Sequence, residues 1–417
     1  MIIISLYIEP IAKQLSMKKI ILGLSLLVAF ILIIACQPFT ESKAAESDQR
    51  TAIKEVKKKE PEIIVPSDSS LVINLDTIWT GAIGIKSVHI TKDGKTAVAC
   101  DLEGSAVWII DLCSRKISSK IVFDRTEGPG YDDNSKEVEK CIREKPVDCC
   151  FGPMDSFVYV TLYNANSVVE IPLLQHQVPD ATLKICDKTY GATVIDSSGQ
   201  KKRVKYRSGN SEKMPKMVSI TPDNKYLMVT NWVSGSVSMV NTATMKNEKN
   251  IMVNSGYKQY PRGISVDSSS NSLFVNNMGG GCISEFNLST RKLIQNFPIM
   301  SNPGHHTLSA DKNHFYICDN AGKAFYKYSR TDKKTIKKVV FKENALLFAV
   351  DPSEKFAVVL HWYNSKASVV DLEKMTILDT IKIQRPIGVD FGDGFFIISS
   401  YGEGGGKLTK YNYNYNY

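Results

Sequence analysis

A sevenfold internal repeat constrains the fold of this chain more than any other feature of its sequence. The stretch MVSITPDNKYLMVTN (217–231) places two apolar runs around a Pro-Asp-Asn turn, and similar hairpins return along the chain. The residues that end the first run of each hairpin serve as anchors: Ile90, Phe151, Ile220, Val266, Leu308, Val350 and Phe391. Their spacings are 61, 69, 46, 42, 42 and 41 residues. Self-similarity at a nearly constant pitch predicts repetition of one supersecondary unit.

Each repeat predicts four short strands. The first strand ends at the anchor, and the second is the apolar run after the turn, as in 226–229. A loop of Gly, Asn or Ser leads to the third strand, as in 236–241, and Thr/Lys-rich turns lead to the fourth, as in 292–297. These segments lack the 3.6-residue apolar spacing of a helical solenoid. The pattern predicts an all-β fold, a seven-bladed β-propeller of four-stranded antiparallel blades.

The two ends of the repeat region complement each other. The seventh repeat lacks a fourth strand of its own, and LVINLDTI (71–78) precedes the first repeat without belonging to it. This segment is similar to TILDTIKI (376–383), the fourth strand of the sixth repeat. Because pairing would spare both ends an open edge, we predict that the N-terminal strand pairs in the last blade and closes the ring. The propeller domain is then expected to span residues 70–417.

The repeats resemble a known family. The unit PRGISVDSSSNSLFVNN (261–277) and the strands YVT (159–161), MVTN (228–231) and FVNN (274–277) are similar to the YVTN-type repeat of lactonase-like seven-bladed propellers. The resemblance covers most of the predicted propeller. It implies the fold but does not specify function, because related propellers include lactonases, substrate-binding domains and redox-enzyme domains. YVTN proteins of bacterial envelopes resemble binding or surface scaffolds.

The first 36 residues have the pattern of a lipoprotein signal. From Met17, two lysines are followed by a largely apolar run that ends at Cys36, as in a secretory signal peptide. The end IIAC resembles a bacterial lipobox, which implies lipidation of Cys36. Residues 1–16 sit awkwardly before such a signal, so we expect the true start at Met17. A plain transmembrane anchor is the alternative, although the apolar run is short for a span.

Residues 37–69 have mixed charge and few apolar residues, which predicts a flexible tether.

Composition narrows the possible functions. Hydrophobic residues make up 43 % of the chain, as in globular proteins with an extensive core. A net charge of +9 is mild, and nucleic acid is therefore not an expected partner. No Ser-His-Asp triad or phosphate loop has the context that its chemistry requires. We expect no catalytic residues, no bound metal and no cofactor. A divalent cation would be needed only by a lactonase-like enzyme, for which Asp101 and Asp319 are the main carboxylates.

The repeat assigns candidate ligand-binding residues to one end of the predicted channel. In propellers of this kind, ligands meet the loops between blades and the loops from the second to the third strand. These positions combine basic groups, amides and aromatic rings: Lys86, Lys216, Asn231, Trp232, Arg262, Asn277, His305, His306, Asp319, His361, Trp362, Arg385 and Tyr401. Fixed positive charge attracts anions, and aromatic rings stack on flat or sugar-like ligands. Each of these residues could instead have a purely structural role, because Asn forms turns and aromatic rings cover the ends of packed blades.

Two insertions interrupt the early repeats, near 124–145 and 172–214. The second contains GQKKRVKYR (199–207), which predicts a basic hairpin. One interpretation is a solvated edge whose charges block aggregation. The other is a docking arm for an acidic partner.

The leading functional hypothesis is a monomeric, lipid-anchored protein of the cell envelope, periplasmic or surface-exposed. It would act as a non-catalytic binding scaffold through the loop-rich mouth of its channel. The expected partners are an envelope protein, a glycan or a small anionic ligand, and the membrane through the lipid anchor. The alternatives are a lactonase-like hydrolase of small cyclic esters and polyanion binding through the 199–207 hairpin.

Overall fold

Thirty-one strands dominate the part of the chain that the computed structural model describes, residues 71–132, 136–173, 188–253, 259–299, 301–402 and 405–415. The predicted signal peptide, Cys36 and the whole predicted tether lie outside these residues. Three short 3-10 helices (Pro153–Asp155, Tyr163–Ala165 and Trp362–Asn364) complete the described secondary structure. Among the described residues, no helix has the length and apolarity to cross a membrane.

In chain order the strands are β1 (Leu71–Ala82), β2 (Ile85–Ile90), β3 (Thr96–Asp101), β4 (Ala106–Asp111), β5 (Lys116–Phe123), β6 (Glu127–Tyr131), β7 (Glu137–Ile142), β8 (Pro146–Phe151), β9 (Phe157–Leu162), β10 (Ser167–Pro172), β11 (Lys188–Asp196), β12 (Lys201–Asn210), β13 (Pro215–Ile220), β14 (Tyr226–Asn231), β15 (Ser236–Asn241), β16 (Asn247–Met252), β17 (Pro261–Asp267), β18 (Ser272–Asn277), β19 (Cys282–Asn287), β20 (Leu293–Pro298), β21 (Pro303–Leu308), β22 (His314–Asp319), β23 (Ala324–Ser329), β24 (Lys334–Val340), β25 (Leu347–Val350), β26 (Phe356–His361), β27 (Lys366–Asp371), β28 (Ile377–Lys382), β29 (Pro386–Gly392), β30 (Phe395–Ser400) and β31 (Gly406–Tyr415).

Antiparallel four-strand units recur along the chain. Four sheets follow chain order, β13 to β16, β17 to β20, β21 to β24 and β25 to β28, and a fifth has the order β1-β31-β30-β29. A nine-stranded sheet has the order β2-β3-β4-β5-β11-β12-β10-β9-β8. It contains two further four-strand units joined through β11. The hairpin β6–β7 lies in the first predicted insertion, and β11 and β12 lie in the second.

The first described strand pairs with the last. In β1, Leu71 lies opposite Tyr415 of β31, and Ala82 lies opposite Gly406. The predicted pairing segment 71–78 therefore lies within a strand of the same sheet as β29 to β31.

The first strands of the units contact one another in order. Strand β2 contacts β8, β8 contacts β13, and the contacts continue through β17, β21, β25 and β29. Strand β29 in turn contacts β2. The contacts thus return to the strand from which they began.

A hydrogen-bonded turn shapes the hairpin that opens several units. The hydroxyl of Thr221 donates to Oδ1 of Asp223 at 2.7 Å, and the same oxygen accepts from the backbone N–H of Lys225 at 3.1 Å. The same side-chain bond joins Thr91 to Asp93, also at 2.7 Å. These contacts replace water for groups that the turn leaves without strand partners. They explain why the Pro-Asp-Asn-like turn recurs in the sequence.

The core lies between neighbouring sheets. In the second strands β18 and β26 every residue is buried, because both faces of the strand are covered. Between β18 and β22, for example, Phe274 and Phe315 pack edge to face with ring centroids 5.1 Å apart. Coverage on both faces explains the continuous apolar runs of these strands.

Candidate functional site

A cavity is lined by residues from the first strand of every four-strand unit. This inner-strand cavity is formed by Lys86–His89 of β2, Val147 and Asp148 of β8, Lys216 and Met217 of β13, Arg262 of β17, His305 of β21, Leu347 and Phe348 of β25, and Ile387–Val389 of β29. Its empty volume, including the part open to solvent, is ≈ 560 Å³.

Buried threonines of the second strands hold the cavity-lining strands together. The hydroxyl of Thr161 in β9 donates to the carbonyl oxygen of Lys216 in β13 at 3.0 Å. The hydroxyl of Thr230 in β14 donates to the carbonyl oxygen of Arg262 in β17, also at 3.0 Å. Each bond therefore joins one unit to the backbone of the next. Thr161 of the YVT strand and Thr230 of the MVTN strand thereby fix the backbone positions of the cavity residues Lys216 and Arg262.

Arg262 presents a buried guanidinium to this cavity. Only 7 % of the residue is exposed, and its side chain forms no ion pair or hydrogen bond with any other residue that the structure describes. Burial lowers the pKa of Arg262, because removal from water disfavours the charged form. An arginine nevertheless stays protonated in proteins. The Asp148 carboxylate of the same cavity acts on this charge only from a distance, so the guanidinium has no directly bonded counter-charge among the described residues.

A histidine–carboxylate pair lies in the same cavity. Nε2 of His89 is 2.7 Å from Oδ1 of Asp148. Burial alone would lower the pKa of His89, but the charge and hydrogen bond of Asp148 and the charge of Asp390 raise it to about 9. Oδ2 of Asp390 accepts from the backbone N–H of Ile90 at 2.8 Å, and burial raises the pKa of this carboxyl. The His89 charge is thus balanced within its own pair.

His305 adds a polar group without a charge. Burial, together with the positive charges of Arg262 and His89, lowers the pKa of His305 to about 3. Its Nδ1 is buried and has no hydrogen-bond partner among the described residues. The ring packs edge to face on Phe348 with centroids 5.3 Å apart. At neutral pH this imidazole is neutral.

One aromatic pair adjoins the cavity through Lys86. The rings of Trp362 and Tyr401 have centroids 5.3 Å apart. Nζ of Lys86 lies 5.7 Å from the Trp362 ring, and the guanidinium carbon of Arg385 lies 5.8 Å from it. Cations at these distances are attracted by the ring quadrupole.

A second aromatic pair adjoins the cavity through Lys216. The rings of Trp232 and Tyr260 have centroids 4.8 Å apart. Nζ of Lys216 lies 5.0 Å from the Trp232 ring and 4.2 Å from the ring of Tyr163. The aromatic rings therefore position both lysines at the cavity.

Four predicted site residues, Asn231, Asn277, Asp319 and His361, occupy the same structural position, the last residue of the second strand. None of them lines the inner-strand cavity. The amide of Asn231 donates to the hydroxyls of Ser236 and Ser238 at 3.1 and 2.9 Å, and that of Asn277 donates to Ser284 at 2.6 Å. These two amides tie the second strand to the third.

The other two members of this set have comparable partners. Oδ1 of Asp319 accepts from the backbone N–H groups of Asn302 and Gly322, both at 3.0 Å. The ring nitrogens of His361 lie 2.9 Å from the carbonyl of Asn344 and 2.9 Å from the hydroxyl of Ser368. His306 is also buried, with Nε2 2.7 Å from the hydroxyl of Ser265. All five residues are thus engaged in contacts within the protein.

The structure therefore divides the predicted set. Lys86, Lys216, Arg262 and His305 come together in the inner-strand cavity. Trp232 and Trp362 lie beside its lysines, and Arg385 and Tyr401 lie beside Trp362. The prediction missed His89, Asp148, Asp390 and the apolar wall of Leu347 and Phe348. Side chains alternate along a strand, so the residue just before the anchor faces away from the anchor side chain. Aligning the repeats at that position would have found His89 and Asp390.

The carboxylates expected for a lactonase-like metal site have other partners. Asp101 accepts from the backbone N–H groups of Gly84 and Gly104 at 2.7 and 3.1 Å, as Asp319 does from its own neighbours. Within the described ranges, no group of three or more His, Cys, Asp or Glu residues is arranged to hold a metal ion.

Antiparallel four-strand units whose first strands surround one cavity are typical of a β-propeller, and solved structures agree. The chain is similar to a virginiamycin B lyase from Staphylococcus aureus, at 13 % identity over 82 % of this chain and 99 % of that chain, with a TM-score of 0.56. It is also similar to the WD40 β-propeller domain of Doa1, at 10 % identity over 82 % and 97 % of the two chains, with a TM-score of 0.57. No family model and no curated protein matches the sequence. The chain therefore has a β-propeller fold, and its function must be inferred from its site.

Proposed function

We propose that this protein is a non-catalytic binding protein of the bacterial cell envelope that recognises an anionic ligand at the inner-strand cavity. The observation that carries the proposal is the unpaired guanidinium of Arg262, buried at the wall of that cavity. A buried charge without a partner is unfavourable, so its retention needs a reason. An anion that enters the cavity supplies the missing partner.

The propeller on which this site is built has seven blades in our proposal, and the N-terminal strand closes its ring. The circuit of contacts through β2, β8, β13, β17, β21, β25 and β29 supports the number of blades. The pairing of β1 with β31 supports the closure. A closed ring would hold the cavity residues in fixed positions, so that little order is lost when a ligand binds.

The envelope location rests on the sequence pattern that ends at Cys36. Lipidation of this cysteine would leave residues 37–69 as a tether between membrane and propeller. Labelling of the expressed protein with a radioactive fatty acid tests this part separately. We expect incorporation in the wild type and none in Cys36→Ala.

Binding measurements on the full-length, detergent-solubilised protein test the function. The probes are envelope glycans, envelope proteins and small organic and inorganic anions. Simultaneous Arg262→Met and Trp362→Ala changes should abolish binding, because they remove the buried cation and the ring that positions Lys86. Lys116→Met, which removes an exposed cation at the start of β5, is the matched control. Binding that survives the double change would remove this cavity as the site.

The basic hairpin is the second candidate site. Three of its cations, Lys201, Lys202 and Lys205, are exposed. Arg203, however, pairs with Asp124 at 2.5 Å, and Arg207 pairs with Glu170 at 2.9 Å. Its positive charge is therefore partly neutralised within the protein. Polyanion binding through this hairpin predicts affinity that falls steeply with salt, and salt-insensitive binding would eliminate it.

A further inference from the structure

The two sides of the inner-strand cavity differ in chemistry. Strands β13, β17 and β21 contribute the polar side chains Lys216, Arg262 and His305. Strands β25 and β29 contribute only apolar side chains and one glycine: Leu347, Phe348, Ile387, Gly388 and Val389. A ligand that fills the space between these walls meets a cation on one side and hydrocarbon on the other.

The charges around the cavity favour a negatively charged ligand. His89 is balanced by Asp148 at 2.7 Å, and neutral His305 contributes none. Both lysines line the cavity and lie over aromatic rings, which attract a cation without neutralising it. Arg262 is the buried cation without a directly bonded carboxylate among the described residues. Its planar guanidinium matches the two oxygens of a carboxylate.

The apolar wall selects against a small inorganic anion. Phe348 and Ile387 belong to the lining of the cavity, and their hydrocarbon side chains offer no hydrogen bond to an oxyanion. The free oxygens of a sulfate or phosphate would face this wall without partners, which is unfavourable. A hydrocarbon group placed there would instead gain from burial.

We propose that the inner-strand cavity binds a small organic monocarboxylate with an apolar body, an aromatic or branched aliphatic acid. The carboxylate pairs with Arg262, and the apolar body packs on Leu347, Phe348 and Ile387. This inference rests on the proposed anion-binding function and names the ligand class for the same site.

Titration calorimetry of the full-length protein tests the inference with five probes: 3-phenylpropionate, 4-methylpentanoate, acetate, sulfate and 3-phenyl-1-propanol. We expect the first two to bind and the other three to bind at least tenfold more weakly. Acetate and sulfate lack the apolar body, and the alcohol lacks the charge. Equal binding of sulfate, acetate and 3-phenylpropionate would overturn the inference and leave anion binding intact. Equal binding of the alcohol would overturn both.

Variants locate the two contacts. Arg262→Met should weaken 3-phenylpropionate binding by about thirtyfold or more. Arg262→Lys should give a smaller loss, because lysine keeps the positive charge but lacks the two parallel N–H donors of the guanidinium. Leu347→Asn should reduce the preference for 3-phenylpropionate over acetate. Lys116→Met, at an exposed position of β5 outside both candidate sites, should change neither, and melting curves identify any variant that fails to fold.

The two proposals fail in different ways. If no monocarboxylate binds but a glycan or protein binds and requires Arg262, the ligand class is wrong and the function stands. If no anion of any kind binds in a manner that depends on Arg262, both are refuted.

Discussion

Replacing Arg262 by methionine should stabilise the unliganded protein. A buried charged group without a partner costs on the order of 1–3 kcal/mol of unfolding free energy, and methionine fills a similar volume without a charge. With an unfolding entropy of about 2.1 cal/mol/K per residue over roughly 345 folded residues, this gain raises the melting temperature by about 1.5–4 °C. Arg262 is 7 % exposed and faces a cavity that is partly open, so we expect the lower half of this range.

Differential scanning calorimetry of the full-length protein in low-salt buffer without added anions is the appropriate assay. Arg262→Gln, which is neutral but polar, should stabilise less than Arg262→Met, and Lys205→Met should leave the melting temperature unchanged. Added 3-phenylpropionate should raise the melting temperature of the wild type and not that of Arg262→Met. A lower melting temperature for Arg262→Met would refute the reasoning, because it would mean that the guanidinium already has a stabilising partner.

Three further predictions concern the scaffold. The pKa of His89 is about 9 in the folded protein and near ~6.5 in the unfolded chain. The stabilisation by protonated His89 is therefore complete below pH ~6.5 and is lost as the pH rises towards 9. The urea midpoints of the wild type and His89→Gln should converge over this pH range, and a constant difference would contradict the assignment. Thr230→Val should lower the unfolding free energy by about 1–2 kcal/mol, because it removes the hydrogen bond to the Arg262 carbonyl. Urea denaturation measures this loss against the exposed control Thr290→Val, and equal midpoints for the two variants would argue against this hydrogen bond. Deletion of residues 1–82 should abolish cooperative unfolding in calorimetry, whereas deletion of 1–63 should preserve it; a cooperative transition without β1 would disprove the closure of the ring.

The repeat predicted the strands well because its determinants are local. Strands β2, β13 and β21 end at the anchors Ile90, Ile220 and Leu308, where the Thr/Ser-x-Asp turn begins. That turn is built by contacts between residues two apart. Local chemistry of this kind is visible in the sequence.

The site was predicted only in part because its contacts are not local. His89 meets Asp148 and lies near Asp390, and no short motif joins residues so far apart in the chain. Asn231 and Trp232 are neighbours in sequence, yet one amide is buried against serines and the other side chain lies beside Lys216. The repeat predicted both residues at the mouth of the cavity because of their position in the sequence. The direction of each side chain, however, depends on the register of the strands.

The pairing of β11 on both of its sides has a consequence for contacts with other molecules. By joining β5 to β12, it covers the outer edges of the first two units. Among the described strands, β1, β16, β20, β24 and β28 end their four-stranded sheets without an outer neighbour. Met252 of β16 and Val340 of β24 are each 61 % exposed. Open strand edges can accept a strand from another chain. A second polypeptide that added a strand would therefore find an open edge in the third to the last four-strand units and none in the two units that β11 joins.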